Sequence, residues 1–373
     1  MKAVGIILAG GSSNKLKVLT RKRAAAAMPI AGSYRAIDFA LSNMSNSHVS
    51  TVAILTQYNS RSLSEHLSSA KWWDFGRKQG GMYLFTPTIT VDNSFWFRGT
   101  ADAIYQNLEF LKKCHEPYVV IASGDAVYKM DYEEVLEYHV EKNADITVVC
   151  KELSEGEDAR RFGTVKMDED NRIFDFEEKP MFAKSNTIST GIYIIRRRLL
   201  IDLVEQCVED ERYDFVKDIL IRYKNLKKIY AYKMKDYWSN IASIDSYYKT
   251  NMDFLKPEIR RHFFKEYPEI QTKVSDLPPA KYNPGTVVKN SLVAGGSIVN
   301  GTVENSILFK KVFVGNNCVV KNSIILNDVY LGDNTYIENC IVESGDTIRA
   351  NTRYVGEDEI KVVLEKGERY GLK

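Results

Sequence analysis

Short apolar runs of strand length alternate with longer amphipathic stretches over the first two thirds of the chain. Val4 to Leu8, Thr51 to Leu55, Tyr118 to Ala122 and Ile146 to Val149 are the apolar runs. Ser62 to Ser69, Ala101 to Lys113 and Tyr132 to Lys142 carry the helical pattern. This alternation predicts a mostly parallel, Rossmann-like α/β sheet with helices on both faces. Ligands in such sheets bind beyond the carboxyl ends of the strands. Gly10-Gly11 and Ser123-Gly124-Asp125 follow their strands directly and are placed at that edge. A glycine pair lets the backbone approach a ligand closely, and its N–H groups can hold a base or phosphate. On that motif alone, a plain tight turn serves equally well.

From Asp253 to Gly285 the chain becomes charged and proline-containing, with Pro257, Pro268, Pro278, Pro279 and Pro284. This stretch reads as a connector with a helix over Pro257 to Tyr267. The pattern then turns repetitive. Asn290-Ser291-Leu292, Asn305-Ser306-Ile307, Asn322-Ser323-Ile324 and Asn339-Cys340-Ile341 recur at spacings of 15, 17 and 17. A period near three hexapeptides predicts a left-handed parallel β-helix of four or five coils. A small β-sandwich would not keep asparagine in phase over three intervals. The expected organisation is an α/β domain over 1–252, a linker over 253–283 and the β-helix over 284–373.

The 373 residues carry 51 Lys plus Arg against 49 acids, a balance that gives no sign of nucleic-acid affinity. The opening apolar run stops at Gly10, too short for a secretory core or a membrane span. Five scattered cysteines without a CxxC pair read as reduced thiols of a cytoplasmic protein. Cys114-His115 is read as structural, because adjacent side chains seldom aim at one another. The 22 tyrosines are assigned to core and interface packing, with Trp72-Trp73 a candidate for shaping a subunit contact.

Ordered motifs then make the chain resemble the glucose-1-phosphate adenylyltransferase (ADP-glucose pyrophosphorylase) family. They include Ile7-Leu8-Ala9-Gly10-Gly11, Tyr34-Arg35-Ala36-Ile37-Asp38-Phe39, Leu55-Thr56-Gln57-Tyr58 and Gly99-Thr100-Ala101-Asp102-Ala103. Ser123-Gly124-Asp125, Arg161-Phe162-Gly163, Phe176-Glu177-Glu178-Lys179-Pro180 and Gly191-Ile192-Tyr193 extend the match. The resemblance implies attack of a sugar-1-phosphate oxygen on the α-phosphorus of ATP, with release of pyrophosphate. Such chemistry depends on positioning and on cancelling negative charge. It further implies nucleotide contacts at Leu8, Ala9, Gly10, Gly11, Gln57, Gly99 and Thr100. Sugar-phosphate contacts are implied at Gly163, Glu178, Lys179 and Ser189, and Mg²⁺ between two aspartates.

The catalytic positions depart from the family pattern. The first metal aspartate is retained as Asp125, whereas the second becomes Asn240, a neutral oxygen donor. Ser13 replaces a loop glycine, and Lys15 replaces an arginine whose planar fork lysine cannot reproduce. Ala25-Ala26 replace Lys-Pro, the usual histidine after Ser-Gly-Asp is Ala126, and a family tyrosine becomes Phe97. Loss of a single preorganised donor typically costs about 100-fold or more in rate, although residues acting as a unit need not multiply. This combination resembles the GlgD-type subunit, which accompanies a GlgC-type catalytic partner in a heterotetramer and has little activity alone. The expected function is therefore a catalytically weak regulatory subunit of glycogen biosynthesis. The alternatives are an active adenylyltransferase using Asp125 and Lys15, or a sensor of glucose-1-phosphate or ATP. An acetyltransferase tail is disfavoured, because no histidine follows His262 to serve as base.

Overall fold

The computed structural model describes residues 2–11, 14–76, 80–88, 95–154 and 157–365. They form two compact units. One comprises residues 1–11 and 39–238; the other comprises residues 12–38 and 239–373.

The first unit is built on a nine-stranded sheet. Its strands are β1 (Ala3–Leu8), β2 (Thr51–Leu55), β3 (Gly81–Phe85), β4 (Tyr118–Ser123), β5 (Ile146–Glu152), β6 (Gly163–Met167), β7 (Ile173–Glu178), β8 (Thr187–Arg196) and β9 (Ile229–Lys233). The spatial order is β7-β6-β8-β4-β1-β2-β3, with β5 pairing both β8 and β9. Around the glycine turn the ladder is parallel: β1 pairs β2 and β4, and β2 pairs β3. On the other side β8 runs antiparallel to β4, β5 and β6, and β6 runs antiparallel to β7. The sheet is thus mixed, and its parallel half supports the nucleotide-type turn.

The helices are α1 (Ala36–Asn46, which spans the division at residue 38), α2 (Ser60–His66), α3 (Thr100–Tyr105), α4 (Leu108–Lys113), α5 (Tyr132–Glu141) and α6 (Arg197–Glu209). Apolar residues of β1, β4 and β5, including Val4, Ile6, Val119, Ile121, Ile146 and Val148, pack with Leu203, Val204 and Cys207 of α6. The helical pattern over 101–113 is interrupted where Asn107 Nδ2 donates to Ala103 O (2.9 Å) and Gln106 Nε2 to Asp102 Oδ2 (2.8 Å). Side chains that compete for local partners commonly end helices in this way.

The second unit holds α7 (Ile244–Asp253), α8 (Pro257–Phe264) and a parallel β-helix with three five-stranded faces. α8 opens on Pro257 at its first turn, where a missing N–H costs nothing. Val303, Val320 and Ile337 stack into the interior at 0% exposure. The in-phase asparagines Asn290, Asn305, Asn322 and Asn339 all take positive φ, from 40° to 52°. Asparagine tolerates this corner conformation better than most residues. The following hydroxyls form a column: Ser291 Oγ accepts from Ser306 N, Ser306 Oγ from Ser323 N, and Ser323 Oγ from Cys340 N, each at 3.1 Å.

Candidate active site

The parallel half of the first unit brings Leu8, Leu55, Phe85 and Ser123 to one sheet edge through the registers Leu8↔Leu55, Leu8↔Ser123 and Leu55↔Phe85. The turn beyond β1 is anchored by Ala9 N donating to Leu55 O (2.8 Å) and by Gly124 N donating to Leu8 O (3.0 Å). The Thr56 hydroxyl donates to Ala9 O at 3.3 Å. Among the described residues a β-carbon on Gly11 would meet nothing within 4 Å, so this backbone faces open space.

Gln57 and Gly99 complete that edge. The Gln57 amide is clamped at both ends by one residue: Phe97 N donates to its Oε1 (3.0 Å), and its Nε2 donates to Phe97 O (3.2 Å). Phe97 itself is a core residue, 7% exposed. A β-carbon on Gly99 would lie 2.2 Å from Tyr213 O, which only glycine permits. The Thr100 hydroxyl accepts from Phe215 N (2.9 Å), so it fixes the start of α3. Asp125 sits just beyond β4, and Ser123 Oγ donates to its Oδ1 at 2.5 Å. The two residues thereby hold each other, a second layer that the Ser-Gly-Asp motif does not itself announce.

The antiparallel half gathers the other four candidates. Gly163 on β6 lies opposite Glu178 on β7. A β-carbon at 163 would come within 2.8 Å of Phe176 and 3.0 Å of Glu178 Oε2, so glycine leaves that carboxylate its room. Lys179 adopts positive φ (45°) and donates its N–H to Phe162 O (3.1 Å). Its Nζ lies 3.2 Å from Glu178 Oε1. Ser189 on β8 is 8% exposed and donates to the Tyr193 hydroxyl (3.3 Å). The register of β8 against β5 shifts between Ser189 and Ile192, and Gly191 takes φ 77° within the shift. That bulge sets Gly191 beside Ser123, the residue that holds Asp125: its β-carbon would lie 3.5 Å from Ser123 Cβ. Ser189 and Asp125 are thereby tied to one stretch of β8.

Three of the departing positions, Lys15, Ala25 and Asn240, belong to the second unit. Lys15 is exposed in a short helical turn (Asn14–Thr20), and Ser13 lies outside the described residues. Ala25 is only 5% exposed and stands in a buried run with Ala24, Ala26 and Ala27. Neighbouring Arg23 forms an ion pair with Glu343 of the β-helix, so its guanidinium is engaged within the unit. Asn240 Oδ1 accepts from Ala242 N at 2.8 Å, closing a local turn. In the first unit, Ala126 is buried at 1% exposure.

Residues 4–257 match the nucleotidyl transferase family, and residues 278–362 match the GlmU-like C-terminal hexapeptide family. The chain is 42% identical to a glucose-1-phosphate adenylyltransferase of Clostridium beijerinckii over 369 residues, which is 98% of this chain and 95% of that protein. The chain belongs to the glucose-1-phosphate adenylyltransferase family. Further relatives of that name are those of Clostridium novyi, 39% identical over 85% of this chain and 83% of that protein, and Thermotoga maritima, 40% identical over 85% and 75%.

Family membership raises the question of Mg²⁺, which prefers hard oxygens and one or two carboxylates besides substrate phosphate. Asp125 supplies one carboxylate, already accepting the Ser123 hydroxyl. Asn240 supplies a neutral amide whose oxygen serves a backbone N–H. Among the described residues no group of three or more His, Cys, Asp or Glu can hold a metal. Asn240 offers no second carboxylate, so Asp125 and Asn240 do not fit a two-carboxylate Mg²⁺ site. All five cysteines are buried free thiols, and burial pushes Cys114 up to about 11, which removes it as a nucleophile. Among the described residues no helix is long and apolar enough to cross a membrane.

Proposed function

We propose that this chain is the regulatory, catalytically weak subunit of a glucose-1-phosphate adenylyltransferase, acting in glycogen synthesis in the cytoplasm beside a GlgC-type catalytic partner. One contrast carries the reading. Gly163, Glu178 and Ser189 are held on three adjoining strands with Lys179 directly after one of them, while the charge expected at Ala25 is replaced by buried apolar packing. A sugar phosphate would find hydroxyl-accepting and phosphate-pairing groups at Glu178 and Lys179. A polyphosphate would lack one fixed cation and one anionic metal ligand, and such preorganised charge is the main source of rate in phosphoryl transfer.

On this reading the labour divides accordingly. Backbone N–H groups at Gly10 and Gly11 would seat a nucleotide base or phosphate. Gln57 is held rigid by Phe97, and Asp125 is oriented by Ser123. Binding can then survive where turnover does not, because uniform binding does not lower a chemical barrier. The β-helix is read as scaffold and not as an acyltransferase, since residues 278–362 contain no histidine.

The test is an ADP-glucose synthesis assay on the purified chain, alone and mixed with a GlgC-type subunit. We expect negligible product alone and altered kinetics of the partner on mixing. Robust synthesis alone, abolished by Asp125→Ala, would establish the active-enzyme reading instead. A partner left unchanged, with glucose-1-phosphate or ATP still bound in calorimetry, would leave a sensor.

A further inference from the structure

One face of the β-helix consists of Val287–Lys289, Thr302–Glu304, Val319–Lys321, Tyr336–Glu338 and Arg353–Val355. The registers are continuous through the stack. The middle residues Val303, Val320 and Ile337 are fully buried and Tyr354 is half-buried, so the residues on either side form two columns that face outward. One column reads Lys289, Glu304, Lys321, Glu338 and then Val355; the other reads Val287, Thr302, Val319, Tyr336 and then Arg353. Among the described residues these outward side chains find ion-pair, hydrogen-bond and ring partners only within the face. Lys289 and Lys321 each lie 3.6 Å from Glu304, the Tyr336 hydroxyl donates to Glu338 (2.7 Å), and the Arg353 guanidinium lies 4.3 Å from the Tyr336 ring.

The charge order is antisymmetric on reversal. Reading Lys-Glu-Lys-Glu backwards exchanges every sign, so the column is complementary to an inverted copy of itself. We propose that this face is a self-docking surface for a second copy of this chain. The two β-helices would pack antiparallel about a two-fold axis that lies in the interface, runs parallel to the strands and passes between the Glu304 and Lys321 rungs. Lys289 then opposes Glu338 of the second copy and Glu304 opposes its Lys321, each pairing occurring twice. In the neighbouring column, Val287 opposes Tyr336 and Thr302 opposes Val319. Closed, isologous contacts of this type are the commonest in homo-oligomers.

Size sets the strength. Rungs spaced about 4.8 Å apart make the four paired rungs roughly 14 Å tall, which covers less than the ~800 Å² per partner of a standard stable interface. The pairing is therefore concentration-dependent and reinforced by whatever other surface the assembly uses. Charges on a partly exposed face are also screened by salt. The pairing does not depend on whether the chain turns over ATP.

Charge reversal separates this pairing from a ladder that only satisfies its own chain. Glu304→Lys leaves Lys opposite Lys, and Lys321→Glu leaves Glu opposite Glu, so each variant alone should sediment with the two-fold step lost. Mixed together, the two variants are complementary at all four rungs and should re-associate. The Glu304→Lys/Lys321→Glu double variant should self-associate as well, although its own ladder now stacks like charges at both ends. Sedimentation velocity and native mass of the full chain, at low and high salt, read all four samples, with circular dichroism confirming the fold. A wild type without salt-sensitive association, single reversals of unchanged mass, or a mixture that fails to re-form would each overturn the proposal.

Discussion

At the residue scale, His139 shows how a buried polar side chain converts pH into stability. It lies on α5 at 1% exposure, with Nδ1 2.8 Å from the Thr147 hydroxyl and Nε2 buried without a hydrogen-bond partner among the described residues. Burial, helped by the Arg196 charge and opposed by Asp145, lowers its pKa from 6.5 to about 4. The unfolded chain therefore binds the proton first as the pH falls. The contribution of neutral His139 is whole above about pH 6.5 and is lost progressively toward pH 4, amounting to about 3 kcal/mol at most. Asp346 acts in the opposite sense. Burial raises its carboxyl to about 6, so its contribution is greatest in acid and fades as the pH rises through that value. Comparing wild type with His139→Gln cancels the Asp346 contribution. The urea midpoint of the variant should fall less steeply than that of wild type between about pH 6.5 and 4. Parallel curves would show that His139 is not the group responsible.

At the element scale, the sequence pattern was most legible where one residue type answers one geometric demand. Asparagine recurs in the tail at four corners that take positive φ, supplied by Asn290, Asn305, Asn322 and Asn339. At the next equivalent place Gly356 N–H donates to Glu338 O, as Asn339 N–H does to Lys321 O, but without the left-handed φ of the four asparagines. Because glycine tolerates positive φ, Asn322→Gly should leave the thermal midpoint almost unchanged. Asn322→Val, a branched side chain forced into the left-handed region, should lose about 1–2 kcal/mol of stability in urea unfolding. Equal losses would point to the Asn322 amide instead of its backbone. The β1 turn and the Ser-Gly-Asp turn were legible for a similar reason, since each directly follows an apolar strand. What the pattern could not disclose were partners fixed by the fold. The Phe97 clamp on Gln57 spans 40 residues, and the split between α3 and α4 depends on which local acceptors Gln106 and Asn107 choose. The antiparallel half of the sheet was also hidden, because apolar runs do not encode strand direction.

At the scale of the whole molecule, the question is whether the missing charges can be returned to the fold that has closed over them. The two substitutions differ sharply. Asn240 is half-buried and its Oδ1 accepts from Ala242 N, a role that an aspartate oxygen fills unaided. Asn240→Asp should therefore fold as well as wild type and tighten any response to Mg²⁺. Ala25 is 5% exposed among alanines that are 1–2% exposed, so a lysine there must bury its stem and desolvate its ammonium. Ala25→Lys should cost stability by about 2–4 kcal/mol, a loss of several degrees in Tm for a chain of this size. A triphosphate that pairs with the new ammonium would offset part of that loss, because a ligand stabilises only the state that binds it. The ATP-induced rise in Tm should accordingly be larger for Ala25→Lys than for wild type, and ADP-glucose synthesis should appear first in the double variant. If ATP raises both midpoints equally and the double variant stays silent, position 25 does not face the triphosphate, and the loss of turnover must lie elsewhere, with Lys15 the first position to replace by arginine.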